Sequence, residues 1–166
     1  YSDIHFFSNI DDAIKFGFDG FTIATPAETH YPLGKKIIES NHHVLIEKPI
    51  TTNIQDAKKL HDLSNKHNVN LMVGHLLLFH PAINKIKELI NENKIGNLQY
   101  IYSNRLNLGS VRTEENVFWS FAPHDISIIQ YFTESFPNEI TSNGGAFIQE
   151  GIHDTTMTFL KYPNNI

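Results

Sequence analysis

Residues 20–49 read GFTIATPAETHYPLGKKIIESNHHVLIEKP, and this stretch decides the fold. Two short apolar runs within it, Gly20–Thr25 and His43–Ile46, have the length and composition of buried strands. Between them, residues 29–40 place apolar side chains at helical spacing, with a proline in the first turn. The stretch therefore predicts a strand, a helix and a second strand in that order.

The same alternation continues after residue 49. Thr52 begins a second helical pattern, and Gln55 follows three residues later in the spacing of a capping box. A third apolar run, Leu71–Gly74, comes after that helix. Near-continuous apolar strands that alternate with helices predict a parallel sheet with helices on both faces.

The pattern changes after Gly74. Alternation of period two over Leu98–Leu108 predicts a strand that is buried on one face, and Gly144-Gly145 suggests a bulge in a later strand. The remaining predicted elements are two helices, Pro81–Asn93 and Asp125–Thr133, and two strands, Glu139–Phe147 and His153–Tyr162. We therefore predict an α/β chain with a partial parallel sheet in residues 1–74. Residues 75–166 would form part of an α+β domain with a largely antiparallel sheet.

The composition excludes several classes of protein. Of the 166 residues, 40% are hydrophobic, which is too apolar for a disordered chain. The net charge is −5 and no block of Lys or Arg occurs, so we expect no nucleic-acid partner. Cysteine is absent, which excludes disulfides and Cys-ligated zinc. Because the apolar runs are too short to span a bilayer and no signal peptide is visible, we expect a cytoplasmic protein with no membrane partner.

Polar residues follow the first two predicted strands, where doubly wound sheets bind their ligands. Thr25-Pro26 forms a turn before a helix, which suits a phosphate or a ribose. In Glu47-Lys48-Pro49, the lysine could donate a proton or polarise a carbonyl group. An ordinary turn and a surface ion pair are the alternatives, and these residues alone leave both open.

Histidines supply the other candidates. His124 follows an aromatic segment in which burial would keep the ring neutral and able to act as a base, or simply make it a hydrogen-bonded core residue. Asp125, next to it, is explained by helix capping. The candidate metal pairs are His42-His43, His75 with His80, and His153-Asp154. None has the i, i+4 spacing of a helical zinc pair, so we expect no metal site.

Together these segments resemble the Gfo/Idh/MocA family of nicotinamide-dependent sugar and polyol dehydrogenases. The resemblance covers nearly the whole chain and rests on an ordered set of motifs: Ile23-Ala24-Thr25-Pro26 with His30, Val44-Leu45-Ile46-Glu47-Lys48-Pro49, Val73-Gly74-His75 and Pro123-His124-Asp125. It implies an oxidoreductase with a Rossmann-type dinucleotide-binding domain in residues 1–74 and a substrate-binding and oligomerisation domain in residues 75–166. The cofactor would be NAD or NADP.

The resemblance also assigns roles to residues. It implies that the nicotinamide half of the cofactor is flanked by Thr25, Pro26, His30, Glu47 and Lys48. Lys48 would hold the reacting hydroxyl group, and His124 would take its proton while the hydride leaves for the nicotinamide.

Departures from the family pattern point to one branch. Many members have an aspartate where Ser120 stands, glycines where Glu115-Asn116 stand, and an arginine where Leu78 stands. With these residues, the chain resembles the branch of the family that oxidises UDP-N-acetyl-hexosamines at the sugar 3-position. Such a nucleotide sugar carries two phosphates, which arginines could bind, although ordinary surface contacts are the alternative. The substrate-binding set implied here is Arg105, Arg112 and Asn116.

The family's glycine-rich turn is absent and would lie before Tyr1, which is not an initiator methionine. We therefore interpret the chain as an internal segment of a longer, homo-oligomeric enzyme, inactive by itself. Two other functions remain open. A non-catalytic binding or assembly protein could keep the same fold, although intact Lys48 and His124 argue against it. A metal-dependent hydrolase would instead use the histidines.

Overall fold

The computed structural model describes residues 4–106 and 115–166. The chain divides into two compact units, Tyr1–Gly74 and His75–Ile166. The first unit contains three helices, α1 (Ile10–Phe16), α2 (His30–Glu39) and α3 (Ile54–His67), and three strands, β1 (Gly20–Ile23), β2 (His43–Ile46) and β3 (Leu71–Val73). The second contains α4 (Pro81–Asn91), α5 (Val117–Thr133), β4 (Glu139–Gly145) and β5 (Thr155–Lys161).

The three strands of the first unit form a parallel sheet in the order β1-β2-β3. The register pairs Ile23 with Ile46 and Ile46 with Val73, so the three strands end side by side. This confirms the predicted Rossmann-type α/β architecture. Strand β2 has the predicted bounds, whereas β1 ends two residues and β3 one residue earlier than the apolar runs suggested.

Helices α2 and α3 pack against each other and bury the core of the first unit. Both crossovers run in the same direction, so right-handed connections place α2 and α3 on one face of the sheet. The opposite face carries exposed Met72 on β3. The prediction of helices on both faces is therefore wrong for the described residues. The core itself consists of Ile23, Ile37, Ile38, Val44, Ile46 and Leu60.

The start of α3 differs from the predicted capping box. Asn53, not Thr52, caps the helix, because its Oδ1 accepts a hydrogen bond from the Asp56 amide at 2.9 Å. The Asn53 amide nitrogen in turn donates to the Asp56 carboxylate at 2.8 Å. The reciprocal pair therefore uses Asn53 and Asp56, one position later than Thr52 and Gln55.

Helix α5 is about twice as long as predicted. It begins at Val117, after Asn116, whose Oδ1 accepts from the Trp119 amide at 3.1 Å. Pro123 lies inside the helix, where a proline removes one backbone hydrogen bond without ending the surrounding turns. His124 and Asp125 consequently lie in the middle of a helix, and the capping role expected for Asp125 is wrong.

The second unit has a two-stranded antiparallel sheet formed by β4 and β5. Its register runs without interruption through Gly144 opposite Thr156 and Gly145 opposite Thr155, so the predicted bulge is wrong. A side chain at Gly144 would lie 2.9 Å from both the His153 Nδ1 and the Thr155 carbonyl oxygen. Close approach of the neighbouring segment therefore explains this glycine.

The predicted strand Leu98–Leu108 is also wrong over its described part. Residues 98–106 form no strand, and residues 107 and 108 lie outside the described residues. Tyr100 and Tyr102, expected on a buried face, are exposed. Alternation of apolar residues can give a strand one buried face, but a strand also needs a hydrogen-bonding neighbour. Within the described residues, β4 and β5 pair only with each other, so residues 98–106 have no such neighbour.

Leu60→Ala tests the core of the first unit. Leu60 is fully buried between α2, α3 and the sheet, so its truncation should lower the free energy of unfolding by about 2–5 kcal/mol. Ile54→Ala, an exposed position of the same helix, is the control and should change it by less than about 1 kcal/mol. Urea unfolding of the full-length protein that carries these residues measures both. Equal effects would contradict the position of the core.

Candidate functional site

The carboxyl ends of the three parallel strands lie in a row. The Glu47 amide donates to the Ile23 carbonyl oxygen at 2.9 Å, and the Gly74 amide donates to the Ile46 carbonyl oxygen at 2.7 Å. These bonds continue the parallel ladder one residue past the strands. The segments that leave β1, β2 and β3 therefore begin at the same edge of the sheet.

His30 links two of these segments. Its Nε2 lies 2.8 Å from the Thr25 carbonyl oxygen, and its Nδ1 lies 2.7 Å from the Pro49 carbonyl oxygen. A carbonyl oxygen only accepts, so a ring nitrogen that binds one of them does so through its N–H. The side chain is 1% exposed. Both ring nitrogens thus bind the protein backbone, and the place of His30 beside a cofactor stays a prediction.

The Thr25 hydroxyl lies at this edge and is exposed. Its Oγ1 is 2.5 Å from the Thr29 Oγ1, and the Thr29 hydroxyl donates to the Pro26 carbonyl oxygen at 2.7 Å. Since Thr29 has one hydroxyl proton, Thr25 must be the donor of the shared bond. The Thr25 oxygen consequently presents only acceptor lone pairs to its surroundings.

Glu47 lies over the backbone that follows β3. A Cβ atom at Gly74 would be 3.0 Å from the Glu47 Oε2 and 3.1 Å from its Cδ, so any larger residue would require this carboxylate to shift by a few tenths of an ångström. Glu47 Oε2 also accepts from the Lys48 amide at 3.3 Å, and the Lys48-Pro49 peptide bond is cis. Sequence reasoning missed the contribution of Gly74, although a glycine after a buried strand is a signal of close approach.

In the second unit, helix α5 carries His124 and a buried serine one turn earlier. The Ser120 Oγ donates to the Glu115 Oε1 at 2.7 Å. Sequence reasoning treated Ser120 only as a missing aspartate and assigned Glu115 no role. No spacing rule would have paired these two residues, because Glu115 lies before the start of the helix.

The residues implied for substrate binding have other contacts. The Arg105 Nε donates to the Asp125 Oδ2 at 2.7 Å, and the Ser103 hydroxyl donates to the Asp125 Oδ1 at 2.8 Å. Asn116 uses its side-chain oxygen as the cap of α5. Arg112 lies outside the described residues. A guanidinium group has five N–H donors, so the ion pair leaves Arg105 able to make a further bond.

The candidate metal pairs also have structural contacts. His43 Nδ1 accepts from the Asn70 amide at 3.0 Å, and His80 Nδ1 accepts from the Ala82 amide at 3.2 Å, at the start of α4. Hydrogen bonds from the Ile148 and Phe147 amides lower the pKa of Asp154. Within residues 4–106 and 115–166, no three His, Asp or Glu side chains are grouped as metal ligands would be.

The same described ranges contain no helix with the length and hydropathy needed to span a bilayer.

His30→Leu tests the link between the two segments. The substitution removes the ring donors and leaves two carbonyl oxygens without their partner, so the free energy of unfolding should fall by about 2–3 kcal/mol. His61→Leu, on the exposed side of α3, should change it by less than about 1 kcal/mol. Urea unfolding of the full-length protein compares them. A His30→Leu protein as stable as the control would show that these bonds contribute nothing.

Comparison with known proteins identifies the first unit. The family model of the Gfo/Idh/MocA oxidoreductases, described as an oxidoreductase family with an NAD-binding Rossmann fold, matches residues 1–75. UDP-N-acetylglucosamine 3-dehydrogenase of Acidithiobacillus ferrooxidans is 26% identical over 140 residues, which cover 84% of this chain and 44% of that protein. The 2,7-anhydro-N-acetylneuraminate hydratase of Mediterraneibacter gnavus is 27% identical over 138 residues, 78% of this chain and 37% of that protein.

The solved structures agree in fold. UDP-N-acetylglucosamine 3-dehydrogenase GnnA of Acidithiobacillus ferrooxidans superposes with a TM-score of 0.85 at 24% identity, over 96% of this chain and 49% of that one. The chain spans less than half the length of the curated relatives it matches. Residues 1–75 match the model of the Gfo/Idh/MocA oxidoreductase family, so the first unit is similar to the NAD-binding Rossmann fold of that family.

Proposed function

We propose that the whole protein is a cytoplasmic dehydrogenase that uses NAD or NADP to oxidise a secondary hydroxyl group of a sugar. Residues 1–74 would form part of its dinucleotide-binding domain, and residues 75–166 part of its substrate-binding and oligomerisation domain. The observation that carries the proposal is the arrangement of Thr25, Glu47 and Lys48 at the carboxyl edge of an NAD-binding sheet. Ligands of such sheets bind at this edge.

The residues at this edge fit a nicotinamide cofactor. The exposed Thr25 oxygen offers lone pairs to an amide or hydroxyl donor, and Pro26 beside it is also exposed. Gly74 has no side chain that would narrow the space beside the Glu47 carboxylate. His30 would act indirectly, by holding the segments at Thr25 and Pro49 at a constant separation. When bound, the nicotinamide supplies the hydride acceptor.

The chain's own residues would handle the proton. The Lys48 ammonium group would donate a hydrogen bond to the reacting hydroxyl oxygen and stabilise its negative charge as the proton leaves. His124 would take that proton as the general base. Neither residue needs a metal ion for these steps, since the positive charge of Lys48 performs the stabilisation.

The proposed substrate is a UDP-N-acetyl-hexosamine, oxidised at the sugar 3-hydroxyl. The relative named UDP-N-acetylglucosamine 3-dehydrogenase supports this choice. Residues 105–109 and 115–120 also resemble the branch of the family that oxidises such nucleotide sugars. Arg105 and Arg112 would bind the two phosphates, and Asn116 would offer its amide nitrogen to the substrate. The remaining donors of the Arg105 guanidinium allow this together with its bond to Asp125.

Substitution of the two proposed catalytic residues tests the activity. In the full-length protein, Lys48→Met and His124→Asn should each lower kcat by about 10²–10⁴-fold while the KM for the cofactor changes little. Lys35→Met on α2 and His61→Asn on α3 are exposed controls and should keep wild-type kcat. Appearance of the reduced cofactor, followed by its near-ultraviolet absorbance, measures the rate.

Three outcomes would contradict the proposal. Wild-type turnover in His124→Asn would mean that this histidine is a core residue. A wild-type protein that turned over no substrate would favour the non-catalytic alternative. One relative is named as a hydratase, a reaction with no net oxidation. Product formation without a matching amount of reduced cofactor would therefore indicate a reaction other than a dehydrogenation.

We further propose that the whole protein is a homo-oligomer that associates through the β4–β5 sheet. Met157 and Phe159 lie two residues apart on one face of β5 and are 64% and 63% exposed. Adjacent exposed apolar side chains on a sheet face are typical of an interface.

Phe159→Lys tests the interface. A buried charge would oppose association, so sedimentation velocity should show a smaller species than the wild type at micromolar concentration. Phe147→Lys, at a still more exposed phenylalanine outside the strands, is the control and should sediment like the wild type. A wild-type protein that sediments as a monomer would refute the proposal.

A further inference from the structure

Asp125 on helix α5 binds two side chains of one segment that is distant in sequence. Its Oδ1 accepts a hydrogen bond from the Ser103 hydroxyl at 2.8 Å, and its Oδ2 accepts one from the Arg105 Nε at 2.7 Å. These partners precede it by 22 and 20 residues. Each oxygen of a single carboxylate therefore holds one side chain of the segment 103–105.

The contact between Asp125 and Arg105 is partly shielded from water. Their side chains are 22% and 35% exposed, respectively. The contact is an ion pair as well as a hydrogen bond, and charge-assisted bonds of this kind are shorter and stronger than neutral ones. Because partly buried pairs are screened less by salt than fully exposed ones, this pair holds the guanidinium group more firmly than an ordinary surface ion pair would.

The bond to Asp125 leaves most donors of Arg105 available. It uses the Nε–H, and the two terminal nitrogens of the guanidinium group carry four further N–H donors. Since the group is planar, a bond at Nε restricts the plane in which the other donors lie. A rigid fork of N–H groups matches the oxygens of a phosphate. Asp125 therefore restricts the orientation in which Arg105 can meet an anion.

The anchor of this segment lies on a rigid element. Asp125 is in the middle of α5, a helix of 17 residues, whereas residues 103–105 belong to no helix or strand. Successive residues of a helix do not face each other, so the Asp125 side chain points away from that of His124, its neighbour in sequence. The carboxylate is thus placed to act on the Arg105 segment.

We propose that Asp125 is a positioning residue for substrate binding, which orients Arg105 toward the phosphate groups of the nucleotide sugar. This inference rests on the proposed function, in which Arg105 binds those phosphates. The effect is on binding, because an oriented guanidinium group holds the phosphates equally well before and during the reaction. Without Asp125 the arginine keeps its charge, but a long and flexible side chain must then be ordered when the substrate binds.

Binding of UDP to the full-length protein tests the proposal by calorimetry, with NADH and NADPH both present so that the cofactor site is filled. Asp125→Ala should weaken UDP binding by about 3–10-fold, the usual cost of ordering one long side chain. Arg105→Leu should weaken it by about 10–100-fold, because charged hydrogen bonds are lost. Glu88→Ala, which removes an exposed carboxylate paired with Lys85 on α4, is the matched control and should keep wild-type affinity.

Two comparisons separate positioning from a merely structural role. The double variant Asp125→Ala/Arg105→Leu should bind UDP as weakly as Arg105→Leu alone, because Asp125 acts through the arginine. Uridine has no phosphate, so neither single variant should change its affinity. Asp125→Asn keeps the size of the side chain and should also weaken UDP binding, which covers the case in which Asp125→Ala does not fold. Additive losses, or an equal loss of uridine affinity, would overturn the proposal.

Kinetics with UDP-N-acetylglucosamine distinguish this proposal from the proposed function. Asp125→Ala should raise KM by about 3–10-fold and leave kcat near the wild-type value. If UDP affinity follows the expected pattern but no reduced cofactor appears, the dehydrogenase function fails while the positioning role holds. If the cofactor is reduced but Asp125→Ala binds UDP as tightly as the wild type, or the wild type does not bind UDP, the positioning role is refuted and the dehydrogenase function stands.

Discussion

The parallel register of β1, β2 and β3 is the constraint on which the first unit depends. Each strand ends at the level of its neighbour, and the ladder continues from the Glu47 amide to Ile23 and from the Gly74 amide to Ile46. Segments that are more than twenty residues apart along the chain therefore leave the sheet side by side. The core formed by α2 and α3 holds this register in place, because a shift of one residue would turn buried isoleucines away from the helices.

Two local contacts hold the segments at that edge of the sheet in place. His30 binds the backbone at Thr25 and at Pro49, so one buried ring joins the segments that follow β1 and β2. Gly74 lets the Glu47 carboxylate lie against the backbone that follows β3. Polar groups of this edge are thus held by backbone contacts, which leaves the exposed Thr25 hydroxyl oriented as an acceptor. Such preorganisation lowers the entropic cost of binding a ligand.

In the second unit, the start of helix α5 determines which residues lie on the same helix as His124. Helix α5 begins eight residues before the predicted start, and this extension brings Ser120 onto the same helix as His124. It also makes Asp125 an interior residue whose carboxylate binds Ser103 and Arg105. The residues that surround His124 therefore depend on where the helix begins. The sequence pattern placed that start after Pro123, because a proline usually ends or begins a helix.

The sequence by itself determined the α/β alternation of residues 20–74 and the motifs at Thr25 and Glu47-Lys48, because these follow from local periodicity and from residue type. Tertiary structure decided what depends on distant partners. The alternating residues 98–106 form no strand, since periodicity provides a face but no hydrogen-bonding neighbour. The buried His30 ring binds two backbone carbonyl oxygens, one of them nineteen residues away, and no local pattern predicts that partner. The Glu115–Ser120 contact likewise joins a residue before a helix to one within it, a pairing set by the path of the chain rather than by any repeat in the sequence.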